Sequence, residues 1–278
     1  MATRLRIARN VLRIGDPIRS LAFYTGPLGM TLVDQDEAAG ETVFRLGYPA
    51  GAASSPAPAE LELRYRAEPM GTPPGGSTSY WKVGITVADV DVARTCAQKA
   101  GVAVSAPRQF EDIGYLCHLA DPDGHAIELL QHRFAAYHRP VPSRGDLALG
   151  SEPTLAHITL RVRDAEAALR FYTERVGLTL MSRQPVPRHR FTLYFLSTFA
   201  DPPPSPDLEA VENREWLWQR PYTMLELQHR WDDADNDWAS RNDATPGFDG
   251  IVVETDEGAS DTLRDPDGNR VALIAPSS

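Results

Sequence analysis

The sequence predicts an α+β fold built from four consecutive, related units, and two repeated motifs carry this prediction. The first motif is the segment 16–32, which recurs as the segment 164–180 at a constant offset. In both copies an aspartate, Asp16 or Asp164, precedes a segment with helical periodicity, and a glycine then leads into a segment with strand character. A repeat of this length indicates that a structural unit was duplicated.

The second motif is Asp-Pro-Asp-Gly, which stands at 121–124 and again at 265–268. Proline sets one backbone dihedral and glycine supplies the positive one, so both copies are predicted to be tight turns between two strands. These landmarks divide the chain into units of strand, helix and several strands. The units cover residues 5–67, 79–133, 154–231 and 248–276. The fourth unit is shortened, because it has too little chain before its turn for a helix and a further strand.

Length and charge define the broad class of the protein. The 278 residues are enough for two domains that each bury a core, which we place at 1–137 and 154–278 around a linker at 138–153 rich in proline and glycine. The net charge of −10 argues against nucleic acid or an anionic membrane surface as a partner. There is no leader-like segment and no apolar run of about 18 residues. We therefore expect a cytoplasmic protein. Cys96 and Cys117 are expected to be buried thiols without a catalytic role.

Two strands of the third unit point to a cavity. The segments 156–161 and 223–229 alternate polar with apolar residues, as strands do when one face lines a cavity. Period two places His157 and Arg161 on one face of the first strand, and Glu226 and Arg230 on one face of the second. A histidine and a glutamate on adjacent inward strands are half of a metal site. Between these strands the excursion 201–220 is predicted to form a short helix or lid that carries Trp218.

This arrangement resembles the vicinal oxygen chelate superfamily, and the third unit is similar to glyoxalase I (lactoylglutathione lyase). The similar segments are 157–164, 171–173, 177–180, 193–196 and 225–231. The resemblance implies four tandem βαβββ modules with the glyoxalase/bleomycin resistance/dihydroxybiphenyl dioxygenase fold. It also implies a divalent metal such as Zn²⁺, Ni²⁺, Co²⁺ or Fe²⁺, glutathione as a co-substrate, and a role in methylglyoxal detoxification.

The resemblance also implies which residues form the site. In this superfamily the metal is held by the first and last strands of two paired modules. Pairing modules two and three brings together Lys82, Glu128, His157 and Glu226. Pairing modules one and four brings together Arg9, Glu62, Gly250 and Ala272, a set that cannot hold a divalent metal. We therefore expect one working site, with metal ligands His157, Glu226 and Glu128, catalytic carboxylates Glu128 and Glu226, and substrate-binding residues Arg161, Arg230, Lys82 and Trp218.

Lys82 leaves two interpretations open, because a charged ammonium group cannot ligate a metal. If Lys82 turns away, three ligands remain for a metal-dependent lyase or isomerase of the glyoxalase I type, which acts on the hemithioacetal of a thiol and methylglyoxal or another 2-oxoaldehyde. If Lys82 lies between Glu128 and Glu226, it replaces the metal, and the protein is a non-catalytic or divergent small-molecule-binding member of the superfamily. A homodimer would cover the sheet edge left by the shortened fourth module.

Overall fold

The fold is described from a computed structural model, which covers residues 5–38, 40–49, 57–67, 79–134, 143–198, 201–232, 247–256 and 260–276. The strands of these residues are β1 (Leu5–Arg13), β2 (Thr31–Ala38), β3 (Glu41–Gly47), β4 (Glu60–Tyr65), β5 (Tyr80–Val87), β6 (Arg108–Phe110), β7 (Gly114–Ala120), β8 (Ala126–Gln131), β9 (Thr154–Val162), β10 (Thr179–Val186), β11 (Phe191–Ser197), β12 (Met224–Arg230), β13 (Gly247–Thr255), β14 (Asp261–Arg264) and β15 (Arg270–Ile274). The helices are α1 (Pro17–Thr25), α2 (Val90–Lys99), α3 (Ala165–Arg170) and α4 (Glu212–Trp218). A π-helical turn, Phe171–Arg175, continues α3, and a short 3₁₀ turn covers Pro187–His189.

The strands form two mixed sheets, and each sheet joins two modules. The larger sheet has the order β10-β11-β12-β9-β5-β8-β7-β6 and combines the second and third units. The smaller sheet has the order β14-β15-β13-β1-β4-β3-β2 and combines the first and fourth units. The predicted α+β fold of tandem modules is thus confirmed. In its described residues the fourth unit contributes three strands and no helix, as its short length predicts.

Aspartate caps and positive-φ glycines explain why the repeated motif folds in the same way twice. The side chains of Asp16, Asp89 and Asp164 each accept hydrogen bonds from backbone N–H groups in the first turn of α1, α2 and α3. Gly29 and Gly177 stand at equivalent places of the repeat with φ of 68° and 88°, a conformation that favours glycine. Local chemistry therefore fixes both ends of the repeated helices.

The Asp-Pro-Asp-Gly turns connect the two sheets through buried tyrosines. Tyr24 at the end of α1 donates a hydrogen bond to Asp121 over 2.8 Å, and Tyr172 in the π-helical turn donates one to Asp265 over 2.8 Å. Both tyrosines are fully buried. Each hydrogen bond joins the helical segment of a module in one sheet to the turn of a module in the other sheet. The duplicated motifs therefore also hold the two sheets together.

One apolar cluster of the described residues is shared by the two sheets. It contains Ile7 and Leu61 from the smaller sheet together with Ile85 and Leu227 from the larger sheet, all at most 2 % exposed. Tyr80 of β5 also stacks on Phe248 of β13, with ring centroids 4.6 Å apart. The two sequence halves therefore share this core instead of each burying a separate one. None of the described helices is long and apolar enough to cross a membrane.

Candidate functional site

The centre of the larger sheet brings together the four positions that the sequence singled out. Strands β12, β9, β5 and β8 are neighbours there. In the parallel β12–β9 pair, Glu226 lies beside Thr159, and on β5 Gly84 pairs with both His157 and Glu128. This register places Lys82, Glu128, His157 and Glu226 side by side, and we call these four residues the central cluster.

The central cluster is a compact group of charges shielded from solvent. None of its members is more than 4 % exposed. Lys82 Nζ donates a hydrogen bond to Glu128 Oε1 over 2.6 Å and lies 3.9 Å from Glu226 Oε2. His157 Nε2 lies 3.2 Å from Glu226 Oε2 and 3.5 Å from Glu128 Oε1. The ammonium group therefore lies between the two carboxylates, which is the second of the two arrangements that the sequence left open.

Glu128 carries its negative charge because of its neighbours. Burial by itself would raise the pKa of Glu128, but the Lys82 ammonium and the nearby imidazoles of His118 and His157 hold the pKa well below its usual range. His118 Nε2 lies 3.0 Å from Glu128 Oε2. His118 was not predicted as a site residue, although counting outward from the Asp-Pro-Asp-Gly turn places it directly opposite Glu128 on β7.

A glycine makes room for the imidazole of His157. A Cβ atom added to Gly84 would lie 1.9 Å from Cε1 of His157, which is far inside van der Waals contact. The ring also lies near Phe195 and Trp218, with centroid distances of 6.5 and 5.5 Å. Gly84 is therefore part of the site through the space it leaves, although it was not predicted as a site residue.

The central cluster, as arranged, does not fit a divalent metal. Ligand atoms in such sites lie about 2.0–2.2 Å from a shared ion. Here Glu128 Oε1 instead accepts a hydrogen bond from Lys82 Nζ over 2.6 Å, and a second cation beside the ammonium group would be repelled by it. Among the residues that the structure describes, no group of three or more His, Cys, Asp or Glu side chains is arranged to hold a metal ion.

A cavity of about 250 Å³ opens beside the central cluster. Lys82, Glu128 and Glu226 line it, whereas His157 is fully buried. The other cations of its lining are Arg108, Arg161 and Arg230, and its aromatic walls come from Trp81, Phe110, Phe191, Phe195 and Trp218. All four residues predicted to bind substrate thus line one cavity, which combines positive charge with flat apolar surfaces.

Two guanidinium groups share one side of this cavity. The Arg161 guanidinium lies 5.1 Å from the centre of the Trp81 ring. Burial and the nearby positive charge of Arg230 lower the pKa of Arg161. Two like charges held close together favour an anion between them, because the anion relieves their repulsion. This side of the cavity is therefore suited to a carboxylate or another anionic group.

An irregularity in β5 explains why Trp81 and Lys82 both reach the cavity. Side chains of consecutive strand residues normally point to opposite faces. The register between β5 and β9 shifts between Tyr80 and Lys82, and such a shift lets two successive side chains line the same cavity. Strict alternation, which the sequence analysis used, gave no signal for Trp81.

The excursion before β12 closes one side of the cavity. Its helix α4 ends at Trp218, whose indole Nε1 donates a hydrogen bond to the backbone oxygen of Ile113 over 2.7 Å. Arg214 forms an ion pair with Asp112. Both contacts join the third unit to the β6–β7 connection of the second unit. The predicted short helix is therefore fixed against the partner module, and Trp218 is only 1 % exposed.

Comparison with known proteins identifies the family. The sequence matches the family model of the Glyoxalase/Bleomycin resistance protein/Dioxygenase superfamily over residues 6–129 and 154–273. The chain belongs to this superfamily. The superfamily model thus matches twice, once in each half of the chain, in agreement with the duplication seen in the repeated motifs.

Several relatives carry the name lactoylglutathione lyase. The chain is 28 % identical to a lactoylglutathione lyase of Schizosaccharomyces pombe over 246 residues, which are 81 % of this chain and 72 % of the relative. It is 29 % identical to a probable chloroplastic lactoylglutathione lyase of Arabidopsis thaliana over 192 residues, 68 % of this chain and 49 % of the relative. The crystal structure of glyoxalase I from Zea mays superposes with a TM-score of 0.68 at 20 % identity, covering 98 % of this chain and 93 % of the other. This last likeness shows the fold alone.

The smaller sheet of this superfamily member arranges the equivalent positions differently. Glu62 of β4 is 3 % exposed and lies 2.7 Å from Arg64, 3.5 Å from Arg9 and 3.9 Å from Arg45. The remaining equivalent positions are a glycine and an alanine, Gly250 and Ala272, which offer no ligand atoms. Arginine side chains therefore neutralise the glutamate of the smaller sheet.

Proposed function

We propose that the protein binds a small anionic molecule in the cavity of the larger sheet, with Lys82 in place of a metal. The observation that carries this proposal is the presence of Lys82, Arg161 and Arg230 around one cavity of about 250 Å³. Lys82 already compensates much of the charge of Glu128 and Glu226, and Arg161 and Arg230 add two further positive charges to the same cavity lining, which favours a ligand anion. The aromatic walls favour a ligand with a flat apolar part.

Calorimetric titration with phthalate, an aromatic dianion, tests this proposal. Dimethyl phthalate has a similar shape without charge and serves as the ligand control. We expect phthalate to bind, the diester to bind more weakly, and Arg161→Gln to weaken phthalate binding about tenfold, the cost of one charge-assisted hydrogen bond. Arg144→Gln is the matched protein control, because Arg144 is an exposed arginine paired with Asp146. Equal loss in both variants, or no binding of phthalate, would reject the proposal.

A second candidate function is the metal-dependent lyase or isomerase of the glyoxalase I type. The observation that favours it is the close approach of His157 Nε2 to carboxylate oxygens of Glu226 and Glu128, at 3.2 and 3.5 Å. Several relatives are named lactoylglutathione lyases. In this candidate the substrate is the hemithioacetal of methylglyoxal or a related 2-oxoaldehyde with glutathione or another thiol, and Glu128 and Glu226 are the catalytic carboxylates.

Thioester formation from methylglyoxal and glutathione tests this second candidate. The assay is run with Zn²⁺, Ni²⁺, Co²⁺ and Fe²⁺ in turn. The candidate requires turnover with at least one metal, loss of turnover in Glu226→Ala, and retained turnover in Glu62→Ala, since only the larger sheet has a histidine in its cluster. An absence of turnover with all four metals would eliminate it.

A homodimer stays part of the proposal. The edge strand β14 of the smaller sheet has only four residues, and a second copy of the chain would cover this edge. Light scattering on the purified protein distinguishes a monomer from a dimer.

The cytoplasmic location and the division of the chain into 1–137, 138–153 and 154–278 also stay predictions.

A further inference from the structure

We propose that the Lys82 ammonium group is a permanent replacement for a divalent metal, and that the residue at position 82 alone keeps a metal out of the central cluster. This inference deepens the proposed function and rests on its premise that Lys82 stands in place of a metal; it adds that the residue at position 82 alone decides whether a metal binds. Its test needs no ligand, so a failure of metal exclusion is distinguishable from a failure of anion binding.

The contacts of Lys82 are those of an internal counter-ion. The ammonium nitrogen lies 2.6 Å from Glu128, 3.9 Å from Glu226 and 4.6 Å from the centre of the Trp81 ring. The two carboxylates are almost completely buried, and buried carboxylates need a positive partner to offset the loss of water. Lys82 supplies that positive charge through ion pairs with both carboxylates.

The use of lysine at this position is unusual for this chain. The sequence contains 28 lysines and arginines together, of which only Lys82 and Lys99 are lysines. Lys99 is exposed at the end of α2, whereas Lys82 is 4 % exposed. An ammonium group is a compact point charge with three N–H donors, whereas a guanidinium group is a planar fork. The space beside two neighbouring carboxylates suits the compact ion, whereas the single Glu62 of the smaller sheet is paired with arginines.

The other three members of the central cluster, His157, Glu128 and Glu226, carry atoms that can ligate a metal, and these atoms lie close together. His157 Nε2 lies 3.2 and 3.5 Å from carboxylate oxygens of Glu226 and Glu128. Neighbouring ligand atoms of a tetrahedral site are roughly 3.3 Å apart when each lies about 2 Å from the ion. His157 Nε2 thus lies at about ligand spacing from both carboxylates, and the ammonium group holds the carboxylates in an arrangement that is not a metal site. A neutral donor at position 82 would complete the set.

Elemental analysis of untagged protein tests the inference. Wild type, Lys82→His, Lys82→Gln and Arg9→His are each exposed to Zn²⁺ and then dialysed exhaustively. We expect wild type to retain no stoichiometric metal and Lys82→His to retain about one ion per chain. Lys82→Gln should retain an ion less tightly. Arg9→His is the matched control, because Arg9 is the equivalent position of the smaller sheet, where Gly250 and Ala272 supply no ligands, so it should retain none.

Every outcome of the metal analysis either supports or overturns the inference that Lys82 keeps a metal out. A stoichiometric ion in wild type, or a folded Lys82→His that retains no more Zn²⁺ than Arg9→His, would overturn the inference. If the Lys82 variants unfold without metal, their melting temperature is measured with and without Zn²⁺, since an ion that binds only the folded state stabilises it. A Zn²⁺-dependent rise in those variants and not in wild type supports the inference, and no rise overturns it. A metal-free wild type that fails to bind phthalate rejects only the ligand proposal.

Discussion

The two sheets each bury glutamate side chains at the same place in their modules, and they neutralise them differently. In the larger sheet a single ammonium group, that of Lys82, lies between Glu128 and Glu226 and leaves a cavity beside it. In the smaller sheet three guanidinium groups surround Glu62. The difference shows that duplicated modules can keep a buried carboxylate and the fold around it while the cationic partner of that carboxylate changes.

The largest expected effect on stability comes from removing the positive charge of Lys82 in the larger sheet, and removal of Arg9 in the smaller sheet serves as the comparison. Lys82→Met leaves two buried carboxylates without their cation and should lower the free energy of unfolding by about 3–5 kcal/mol. Arg9→Met should lower it by about 1 kcal/mol, because Glu62 keeps Arg64 and Arg45 and the Arg9 side chain is 16 % exposed. Urea unfolding at neutral pH measures both values. Similar losses in the two variants would show that the sheets do not differ in this way.

The next largest effect is the loss of folding stability at low pH. The pKa of Glu128 is lowered in the folded protein, so its charge stabilises the fold above the unfolded-state pKa of about 4.3, and this contribution is lost as the pH falls through the folded-state pKa. Wild type should therefore lose roughly 2 kcal/mol from this group at low pH, the value of a charge-assisted hydrogen bond. Glu128→Gln should lack this part of the pH dependence.

Urea unfolding at a series of pH values between neutral and about 3, a range that spans the carboxylate pKa, measures this difference. Glu174→Gln is the control for loss of an exposed carboxylate. If Glu128→Gln and Glu174→Gln show the same pH dependence, the charge of Glu128 does not contribute to folding.

A smaller effect is expected from filling the space over Gly84. Gly84→Ala would force the His157 ring away, because the added Cβ would lie 1.9 Å from Cε1 of His157. Such overpacking should cost about 1–2 kcal/mol. It should also shift the NMR signals of the His157 ring. Gly145→Ala is the control, since a Cβ there meets nothing within 4 Å. An unchanged His157 signal in Gly84→Ala would show that the ring does not lie against β5.

The smallest effect is expected at α4, which covers the cavity of the larger sheet only. Trp218→Phe keeps an aromatic ring against Phe195 but removes the hydrogen bond from the indole to Ile113. We expect a loss of about 1 kcal/mol in the free energy of unfolding. Phthalate binding should weaken more than it does in Trp216→Phe, because Trp218 lines the cavity. Equal binding by the two variants would show that the position of α4 does not shape the cavity.

The sequence by itself determined the features that depend on neighbouring residues. The duplicated motif, the aspartate caps at Asp16 and Asp164, and the two Asp-Pro-Asp-Gly turns are local, because each depends on backbone chemistry within a few residues. The alternation of polar and apolar residues in β9 and β12 likewise indicated that His157 and Glu226 lie on the same face of the sheet, and the register places their strands side by side.

Only the tertiary structure decided what the cavity contains. The direction of the Lys82 side chain depends on Glu128, 46 residues away in sequence, and on Glu226 in another module. Trp81 faces the cavity because of an irregularity in β5 that strict alternation does not predict. Charge pairing in a buried site is set by distances of a few ångströms between separate strands, and a sequence specifies those distances only once the sheets have formed.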